Sequence, residues 1–317
     1  MPALGAPGAQ DRASEEEPPA DAGGSSSAPI SREERAGWAP RSRAEVLADL
    51  ARRGFRFQRR LGQNFLFDPQ LLEAFLDDAG IEPGDRVLEV GAGAGTLTER
   101  LLARGREVVT AEIDPLLLGY LADRGSHPGL SLVGGDALGP GETLSPALAE
   151  VLGEDPRPLR LVANLPYAIA TPLVMRLLAR EPRLAGIAVL VQAEVAERWV
   201  AEPGGRDFGP ASVLLRHAGR GRISRRVAGR LFTPAPRVES AFYVWEPEGP
   251  REDLPGLLAF ARGLFLHRRK MLRAILRDRL LENDPRWEVA GIDPCARPES
   301  LAVSQVVDLH ELLKEES

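Results

Sequence analysis

The sequence predicts an α/β protein built on a mostly parallel, doubly wound sheet, followed by a smaller all-helical region. Short apolar strands alternate with amphipathic helical segments over much of the 317-residue chain. The strands are apolar on both faces, which is typical of a parallel sheet covered by helices on both sides. Helix starts are marked by Asp114-Pro115, Ser145-Pro146 and Thr171-Pro172, since each pair places an N-cap residue before a proline.

The N-terminal segment differs in composition from the rest of the chain. Residues 1 to about 40 are rich in Ala, Gly, Pro, Ser and Glu, so we predict a disordered extension over 1–40. Ser42 and Glu45 have the spacing of a capping box, which predicts a helix that begins there and ends at Gly54.

The remaining elements follow in chain order. Residues 41–248 are predicted to form the sheet domain, and 249–317 contain helical patterns only, which predicts a second, helical domain. The predicted strands lie at 86–90, 107–113, 130–135, 159–164 and 186–192, with two more near 222–228 and 239–245.

Composition limits the class of protein. A single cysteine, Cys295, excludes a disulfide framework and fits a reducing cytoplasm. The four histidines are scattered without the spacing of a metal site, so no metal is expected. No apolar run is long enough to cross a membrane, and Glu15–Glu17 argue against a transit peptide.

Three basic blocks interrupt a chain whose net charge is −6. Local patches rather than the total charge attract phosphate, so the blocks favour a nucleic-acid partner. The alternative is that each block is a solvated helix face. The blocks are Arg52, Arg53, Arg56, Arg59 and Arg60; Arg216, Arg220, Arg222, Arg225, Arg226 and Arg230; and Arg268, Arg269, Lys270, Arg273 and Arg277.

Small or acidic residues follow three successive strands, where an open sheet of this kind binds its ligands. The glycine-rich turn Gly91–Gly95 lets backbone approach a ligand closely. Glu112 ends the second strand, where an acid can accept hydrogen bonds from ribose hydroxyls. Asp136 ends the third strand, within reach of an adenine amino group. Each could instead be an ordinary turn residue, although their coincidence argues for a site.

The fourth strand ends in Asn164-Leu165-Pro166-Tyr167. A residue before proline is extended, so the Leu165 carbonyl can point out of the turn beside the Asn164 amide oxygen. Two acceptors and the Tyr167 ring suit a flat heterocycle with an exocyclic amine. The alternative is a plain Asn/Pro turn.

These motifs, taken together, resemble a known family. QNFL (63–66), VLEVGAGAGTLTERLL, AEID, GDAL, NLPYAIATP, VQAEVAERW, FTPAPRVESA and HRRKML occur in the order found in ribosomal RNA adenine dimethyltransferases of the KsgA/RsmA type. The resemblance covers about 42–317. It implies a class I S-adenosylmethionine-dependent methyltransferase with a Rossmann-like, seven-stranded, mostly parallel sheet and a small C-terminal helical domain that helps to bind RNA. It also implies dimethylation at N6 of two adjacent adenosines in the 3′-terminal hairpin loop of 16S ribosomal RNA.

The resemblance also implies roles for individual residues. Asn64 and Leu66 would close over the cofactor, and Phe232 would join Tyr167 in holding the flipped base. The implied cofactor-binding residues are Asn64, Leu66, Gly91, Glu112, Asp136 and Asn164, and the implied catalytic residues are Asn164, Leu165, Pro166, Tyr167 and Phe232. We expect RNA to contact Arg59, Arg60, Arg268, Arg269, Lys270 and Arg273.

Residues 265–278 are predicted to form one helix, with Arg269, Arg273 and Arg277 on a single face. We expect a monomer that acts on the small-subunit precursor in the cytoplasm. Three alternatives remain open: a macrolide-resistance-type methyltransferase of 23S ribosomal RNA, a non-catalytic ribosome-assembly or transcription accessory protein on the same fold, and a dinucleotide-dependent oxidoreductase. The glycine spacing and the Asn-Leu-Pro-Tyr sequence argue against the last.

Overall fold

The computed structural model describes residues 37–153, 155–249 and 251–314. Most of the predicted extension, residues 1–36, therefore lies outside the described residues. The strands are β1 (Phe65–Leu66), β2 (Arg86–Val90), β3 (Glu107–Glu112), β4 (Leu130–Gly134), β5 (Leu159–Asn164), β6 (Leu184–Gln192), β7 (Gly219–Val227), β8 (Phe232–Thr233) and β9 (Ser240–Pro247).

Seven strands form one sheet in the order β4-β3-β2-β5-β6-β9-β7. Strands β2 to β6 pair in parallel, whereas β9 is antiparallel to both of its neighbours, β6 and β7. The strand order reverses between β2 and β5, so the crevice beyond their carboxyl ends is the expected ligand site. The predicted α/β class with a seven-stranded, mostly parallel sheet is confirmed.

Helices cover both faces of the sheet and enclose two hydrophobic cores. One core lies between the sheet and the helices from α1 to α4, and the other lies between the sheet and the helices from α5 onward. The helices are α1 (Arg43–Arg52), α2 (Pro69–Asp78), α3 (Thr96–Ala103), α4 (Pro115–Ala122), α5 (Pro146–Gly153), α6 (Ala170–Arg180), α7 (Ala193–Trp199), α8 (Pro210–Ala218), α9 (Leu254–Leu266), α10 (Leu272–Ile275), α11 (Arg286–Val289) and α12 (Val303–Lys314).

The N-terminal helix begins where its capping box predicts. The Ser42 hydroxyl accepts a hydrogen bond from the Glu45 amide, and the Glu45 carboxylate accepts one from the Ser42 amide. Ordered contacts begin earlier than the predicted boundary at residue 40, however. Trp38 is buried, and its indole donates to the Gly125 carbonyl at 2.9 Å.

One predicted helix start is wrong. Helix α6 begins at Ala170 with Ile169 at the N-cap, not at Thr171. The Ile169 amide bonds to the Pro166 carbonyl at 3.1 Å, so the turn after β5 leads directly into the helix. The proline at 172 then occupies the first turn, where its missing amide hydrogen costs nothing.

The helix predicted over 265–278 is broken, which corrects that prediction. Helix α9 ends at Leu266, and the four-residue α10 starts at Leu272. The amides of Leu272 and Arg273 bond to the carbonyls of Ala296 and Pro294, at 2.9 and 3.0 Å, so an incoming loop replaces the helical turn that would have joined them. Arg269, Arg273 and Arg277 therefore do not share one helix face.

The C-terminal helices contribute to the same core as the sheet. Leu257, Leu258 and Leu264 of α9 belong to the cluster that contains Trp199 and Trp245. Asp253 caps α9 through the Gly256 amide, and its carboxylate lies 2.9 Å from His310 Nε2 and 2.8 Å from Lys314 Nζ in α12. The division into a sheet domain and a helical domain stays a prediction.

None of the helices within these described ranges combines the length and the apolar character needed to cross a membrane.

Candidate active site

The glycine-rich turn between β2 and α3 forms the floor of the crevice. Gly91 has φ +81°, and a Cβ there would lie 3.1 Å from Pro166 Cδ. Gly93 has φ +58°, and a Cβ there would lie 2.9 Å from the Phe65 ring. Glycine is therefore required at both positions, because a side chain would collide with the two segments that close over the turn.

Glu112, at the end of β3, holds this turn. Its Oε2 accepts from the Gly93 amide at 2.7 Å, and its Oε1 accepts from the Asp114 amide at 2.8 Å. The residue is 4% exposed. Burial raises the pKa of the carboxyl, and the amides of Asp114 and Gly93 oppose that effect. Each carboxylate oxygen can accept a second hydrogen bond, so a ribose hydroxyl remains a possible partner.

A second buried acid lies beside Glu112. The Glu89 carboxylate accepts from the hydroxyls of Thr98 and Thr110, at 2.6 and 2.9 Å. Burial raises the pKa of Glu89 to about 7, although the two threonines lower it. The negative charge of Glu112 raises this pKa further. The crevice therefore contains a carboxyl that titrates close to neutral pH.

The segment 58–64 crosses over the site as a strap anchored by Asp114. The side-chain amides of Gln58 and Gln63 both donate to Asp114 Oδ2 at 2.8 Å. The other oxygen of Asp114 accepts from the Leu116 amide at 3.0 Å, which confirms its N-cap role on α4. One carboxylate thus starts a helix and fixes the strap.

Asn164, at the end of β5, is bonded to this strap. Its Nδ2 donates to the Asn64 carbonyl at 2.9 Å. This bond orients the amide, so that Oδ1 is the atom left to accept. Neither Asn164 Oδ1 nor the Leu165 carbonyl accepts a hydrogen bond from the part of the chain that the structure describes. Two successive residues at the strand end therefore each keep an acceptor that no described donor occupies.

Tyr167 completes the turn. Its phenol oxygen lies 2.8 Å from Ser240 Oγ, the first residue of β9. Burial raises the pKa of this phenol, and the Ser240 contact partly offsets it. The ring is half-buried and keeps a fixed orientation, which a stacking platform needs.

Two adjoining cavities occupy the crevice. The narrow cavity is about 60 Å³, and the wide cavity is about 370 Å³. Gly91, Pro166 and Tyr167 line both cavities, so the two adjoin, and together they are called the cleft. Of the predicted cofactor and catalytic residues, the narrow cavity contains Asn64, Leu66, Gly91, Glu112, Asn164, Leu165, Pro166 and Tyr167, and the wide cavity contains Gly91, Asp136, Pro166 and Tyr167.

Phe232 lies outside both cavities. It is 4% exposed and pairs with Leu66 in the small β1–β8 ribbon. Its predicted contact with a target base would require the ribbon to open or the base to reach its edge. That role stays a prediction.

The predicted RNA-binding residues fall into two groups. Arg59 and Arg60 line the wide cavity. Arg268, Arg269, Lys270 and Arg273 belong to the segment after α9 and line neither cavity. Arg268 forms an ion pair with Glu299 at 2.9 Å, and Arg273 pairs with Glu282.

Sequence reasoning missed four contributors to this site. Glu89 was visible as an acid inside an apolar strand, where a charged residue is costly unless it serves a function. Ile113, the residue after Glu112 in the chain, lines both cavities and is 42% exposed. An exposed isoleucine beside a crevice offers a flat apolar contact. Gln63 belongs to the QNFL motif, but its bond to Asp114 could not be predicted, and the contact of Ser240 with Tyr167 is likewise tertiary.

Comparison with known proteins gives consistent results. Residues 54–315 match the family model described as ribosomal RNA adenine dimethylase. The chain is 34% identical over 276 residues to the ribosomal RNA small subunit methyltransferase A of Geobacillus thermodenitrificans, covering 83% of this chain and 93% of that protein. It is 37% identical over 268 residues to the protein of the same name from Pseudomonas syringae, covering 82% and 96%.

Solved structures resemble the fold. A dimethyladenosine transferase from Plasmodium falciparum superposes with a TM-score of 0.64 at 22% identity, covering 80% of this chain and 98% of that one. The 23S rRNA methyltransferase ErmE superposes with a TM-score of 0.59 at 25% identity, covering 79% and 100%. The first likeness concerns the fold alone.

Proposed function

The chain belongs to the ribosomal RNA adenine dimethylase family, and on that premise we propose that it dimethylates N6 of two adjacent adenosines in the 3′-terminal hairpin loop of 16S ribosomal RNA. The methyl donor is S-adenosylmethionine. The observation that carries the proposal is the pair of free acceptors at Asn164 Oδ1 and the Leu165 carbonyl, beside the oriented ring of Tyr167.

Three features of the cleft support S-adenosylmethionine as its ligand. Gly91 and Gly93 form the floor of the cleft, the Glu112 carboxylate lies at the end of β3, where sheets of this topology can bind ribose hydroxyls, and Ile113 and Asp136 line the wide cavity. We propose that Gly91 and Asn64 contact the amino-acid portion, Glu112 the ribose, and Ile113 with Asp136 the adenine. When bound, the cofactor supplies a methyl group activated by its sulfonium.

Asn164 and Leu165 would act on the target amine. An unmethylated adenine amino group has two N–H bonds. It can donate one hydrogen bond to Asn164 Oδ1 and one to the Leu165 carbonyl oxygen. These bonds would reduce the conjugation of the amine lone pair with the adenine ring and so make the nitrogen a better acceptor for the methyl group that the cofactor would supply. Orientation of the amine close to that carbon supplies a further part of the acceleration. The amine proton leaves to solvent after transfer, so the residues need not include a general base.

Tyr167 would hold the base itself. A base within a duplex cannot enter the cleft, so the adenosine must be looped out or flipped, at a cost of a few kcal/mol. Stacking on an aromatic ring returns about 1–3 kcal/mol per base. The Ser240 contact keeps the Tyr167 ring in place, so less of that gain is lost to ordering.

The small subunit is favoured as substrate by the names of the relatives, while the likeness to ErmE supports 23S ribosomal RNA as a second candidate. The deciding experiment incubates the protein with labelled S-adenosylmethionine and unmethylated small or large subunits, then identifies the modified nucleoside. Dimethyladenosine confined to small-subunit RNA is expected. Label in the large subunit would favour the second candidate, and no transfer to either would indicate an accessory protein.

Cofactor binding is tested separately by calorimetry with Glu112→Ala. Loss of charge-assisted hydrogen bonds should weaken S-adenosylmethionine binding by about 1–3 kcal/mol. RNA affinity measured without cofactor should stay unchanged, and normal cofactor affinity in the variant would remove Glu112 from the site. We also propose that the protein acts in the cytoplasm as a monomer and without a metal ion.

A further inference from the structure

The edge strand β7 has an irregularity that rearranges its arginines. Arg222 pairs with Val244 of β9 and Ile223 with Tyr243, but the next pair is Arg225 with Phe242. Ser224 is therefore the extra residue of a β-bulge. Without it, alternation along the strand would put Arg225 on the face opposite Arg222.

The bulge brings three arginines to one face. Residues directly opposite each other in an antiparallel pair project to the same side of the sheet. The partners of Arg220, Arg222 and Arg225 are Glu246, Val244 and Phe242, and the last two belong to the core beneath α1 to α4. Arg225 accordingly contacts Asp78 of α2 at 3.0 Å.

The next arginine points the other way. Arg226 pairs with Ala241, which belongs to the opposite core, and its guanidinium contacts Glu197 of α7 on that side. Arg220, Arg222 and Arg225 are therefore a distinct set, called here the arginine row, with a spacing along the strand of about 7 Å. This spacing is similar to that of successive phosphates along an extended nucleic-acid strand.

Most of the charge of the arginine row is uncompensated. All three guanidinium-bearing residues are exposed. Asp78 faces Arg225, and Glu246, beside Arg220, already pairs with Arg160 at 2.9 Å. No described carboxylate forms an ion pair with Arg222 or Arg220.

The arginine row also leads towards the active site. Strand β7 is antiparallel to β9, β9 is antiparallel to β6, and β6 is parallel to β5. Strand β7 therefore runs parallel to β5, and its carboxyl end lies at the cleft edge of the sheet. Its last residue, Val227, pairs with Ser240, whose hydroxyl contacts Tyr167. A strand of RNA that leaves the target base at Tyr167 would meet Arg225, Arg222 and Arg220 in turn.

We propose that the arginine row binds the phosphate backbone of the RNA segment that flanks the methylated adenosines. This inference rests on the proposed function and extends it to a surface outside the cleft. The competing explanation is that charged side chains only protect the edge of the sheet from pairing with another chain. The two explanations differ in their dependence on salt.

The test measures the affinity of a fluorescent RNA, containing the hairpin loop and its single-stranded flank, between about 50 and 200 mM salt. In Arg220→Gln/Arg222→Gln/Arg225→Gln, the slope of log affinity against log salt should fall by about 2–3, because each of the three lost phosphate contacts lowers it by about 0.7–0.9. Affinity for S-adenosylmethionine, measured by calorimetry, should match that of the unmodified protein.

The matched control compares two single variants, Arg225→Gln within the arginine row and Arg226→Gln outside it. Arg225 and Arg226 are adjacent, similarly exposed and both ion-paired, with side chains 48% and 54% exposed. Arg225→Gln should lower the slope by about 0.7–0.9, and Arg226→Gln should leave it unchanged. Equal effects would mean that only total charge matters, which would overturn the proposal.

The remaining outcomes are also decisive. The triple variant could show the same plot of log affinity against log salt as the unmodified protein, together with increased light scattering from self-association. That result would assign the arginines to edge protection and overturn the proposal. If the unmodified protein itself binds this RNA without salt dependence and methylates no small-subunit RNA, the proposed function fails first. The two failures are therefore distinguishable.

Discussion

Asn164 illustrates how one hydrogen bond determines what a side chain can offer. Because its amide nitrogen is bonded to the Asn64 carbonyl, its oxygen is the atom that remains to accept a hydrogen bond. Asn164→Ala should reduce the methyl-transfer step by about 100-fold or more, as expected for loss of an oriented polar group at a reacting centre. Single-turnover kinetics measure this step, with RNA and cofactor affinities as the control. A wild-type rate in the variant would contradict the role of the amide.

The raised pKa of Glu89 predicts that the free energy of unfolding depends on pH. Its pKa is raised from 4.5 to about 7, so the folded state holds a proton that the unfolded state has released over this range. Stability should therefore fall as pH rises from about 4.5 to 7 on account of this group. Glu89→Gln keeps an acceptor for Thr98 and Thr110 and removes that dependence.

Denaturant unfolding near pH 5 and pH 8 measures the effect. At the higher pH, Glu89→Gln should be more stable than the unmodified protein by about 3 kcal/mol, an order-of-magnitude value from the size of the shift. At the lower pH the two should be similar. Glu150→Gln, which changes an exposed carboxylate, is the control. Equal stabilities at both pH values would show that Glu89 does not hold a proton in the folded state.

At the scale of elements, Asp253 joins two helices. It caps α9 and contacts His310 and Lys314 of α12. Those partners lower the pKa of Asp253, Lys314 most strongly, so its contribution is present above its ordinary pKa and is lost as the pH falls. Asp253→Ala should lower the free energy of unfolding by about 1–2 kcal/mol, the usual value for a lost cap.

The conservative variant separates the two roles of Asp253. Asp253→Asn keeps the acceptor for the Gly256 amide but loses the charge facing Lys314. Its loss of stability should therefore be smaller than that of Asp253→Ala at neutral pH, and it should largely disappear at acidic pH, where Asp253 itself is protonated. Chemical unfolding of both variants at neutral and acidic pH measures this. If Asn and Ala were equally destabilising, the cap would contribute nothing.

Elements encoded by local patterns could be predicted from the sequence. Strands β2 and β5 agree with their apolar runs residue for residue, and the capping box at Ser42 starts its helix as predicted. The helix over 265–278 could not be predicted correctly, because the carbonyls that interrupt it come from Pro294 and Ala296. Local periodicity contains no information about a loop that arrives from elsewhere.

The same distinction applies to the candidate site. Glu112, Asp136 and Asn164 were predictable because strand ends converge in this fold. The strap held by Asp114, and the bond between Asn164 and Asn64, join segments 50 or more positions apart. Only the folded chain reveals them. The bulge at Ser224 was hidden for a similar reason, since it depends on the register with β9.

At the scale of the whole molecule, the shared core predicts a single cooperative unit. Leu257 of α9 is 2% exposed in the cluster that also contains Trp199 and Trp245 beside the sheet. Leu257→Ala should lower the stability of the whole protein by about 2–5 kcal/mol. Circular dichroism and tryptophan fluorescence should still report one coincident transition. Two separate transitions would mean that the C-terminal helices fold independently of the sheet.

The buried indole of Trp38 is a fluorophore that packs behind the glycine-rich turn. Its indole lies under the Arg124 guanidinium, 4.5 Å from it, and Arg124 pairs with Glu99 at 3.0 Å. A Cβ on Gly95, at the end of the glycine-rich turn, would be 3.6 Å from the Trp38 ring. Gly95 thus connects the turn to a fluorophore on its far side, and we expect a ligand bound at the turn to change the surroundings of that indole. Emission from this one indole, isolated by comparison with Trp38→Phe, should therefore change when the methyl donor binds and would follow binding in real time without a label.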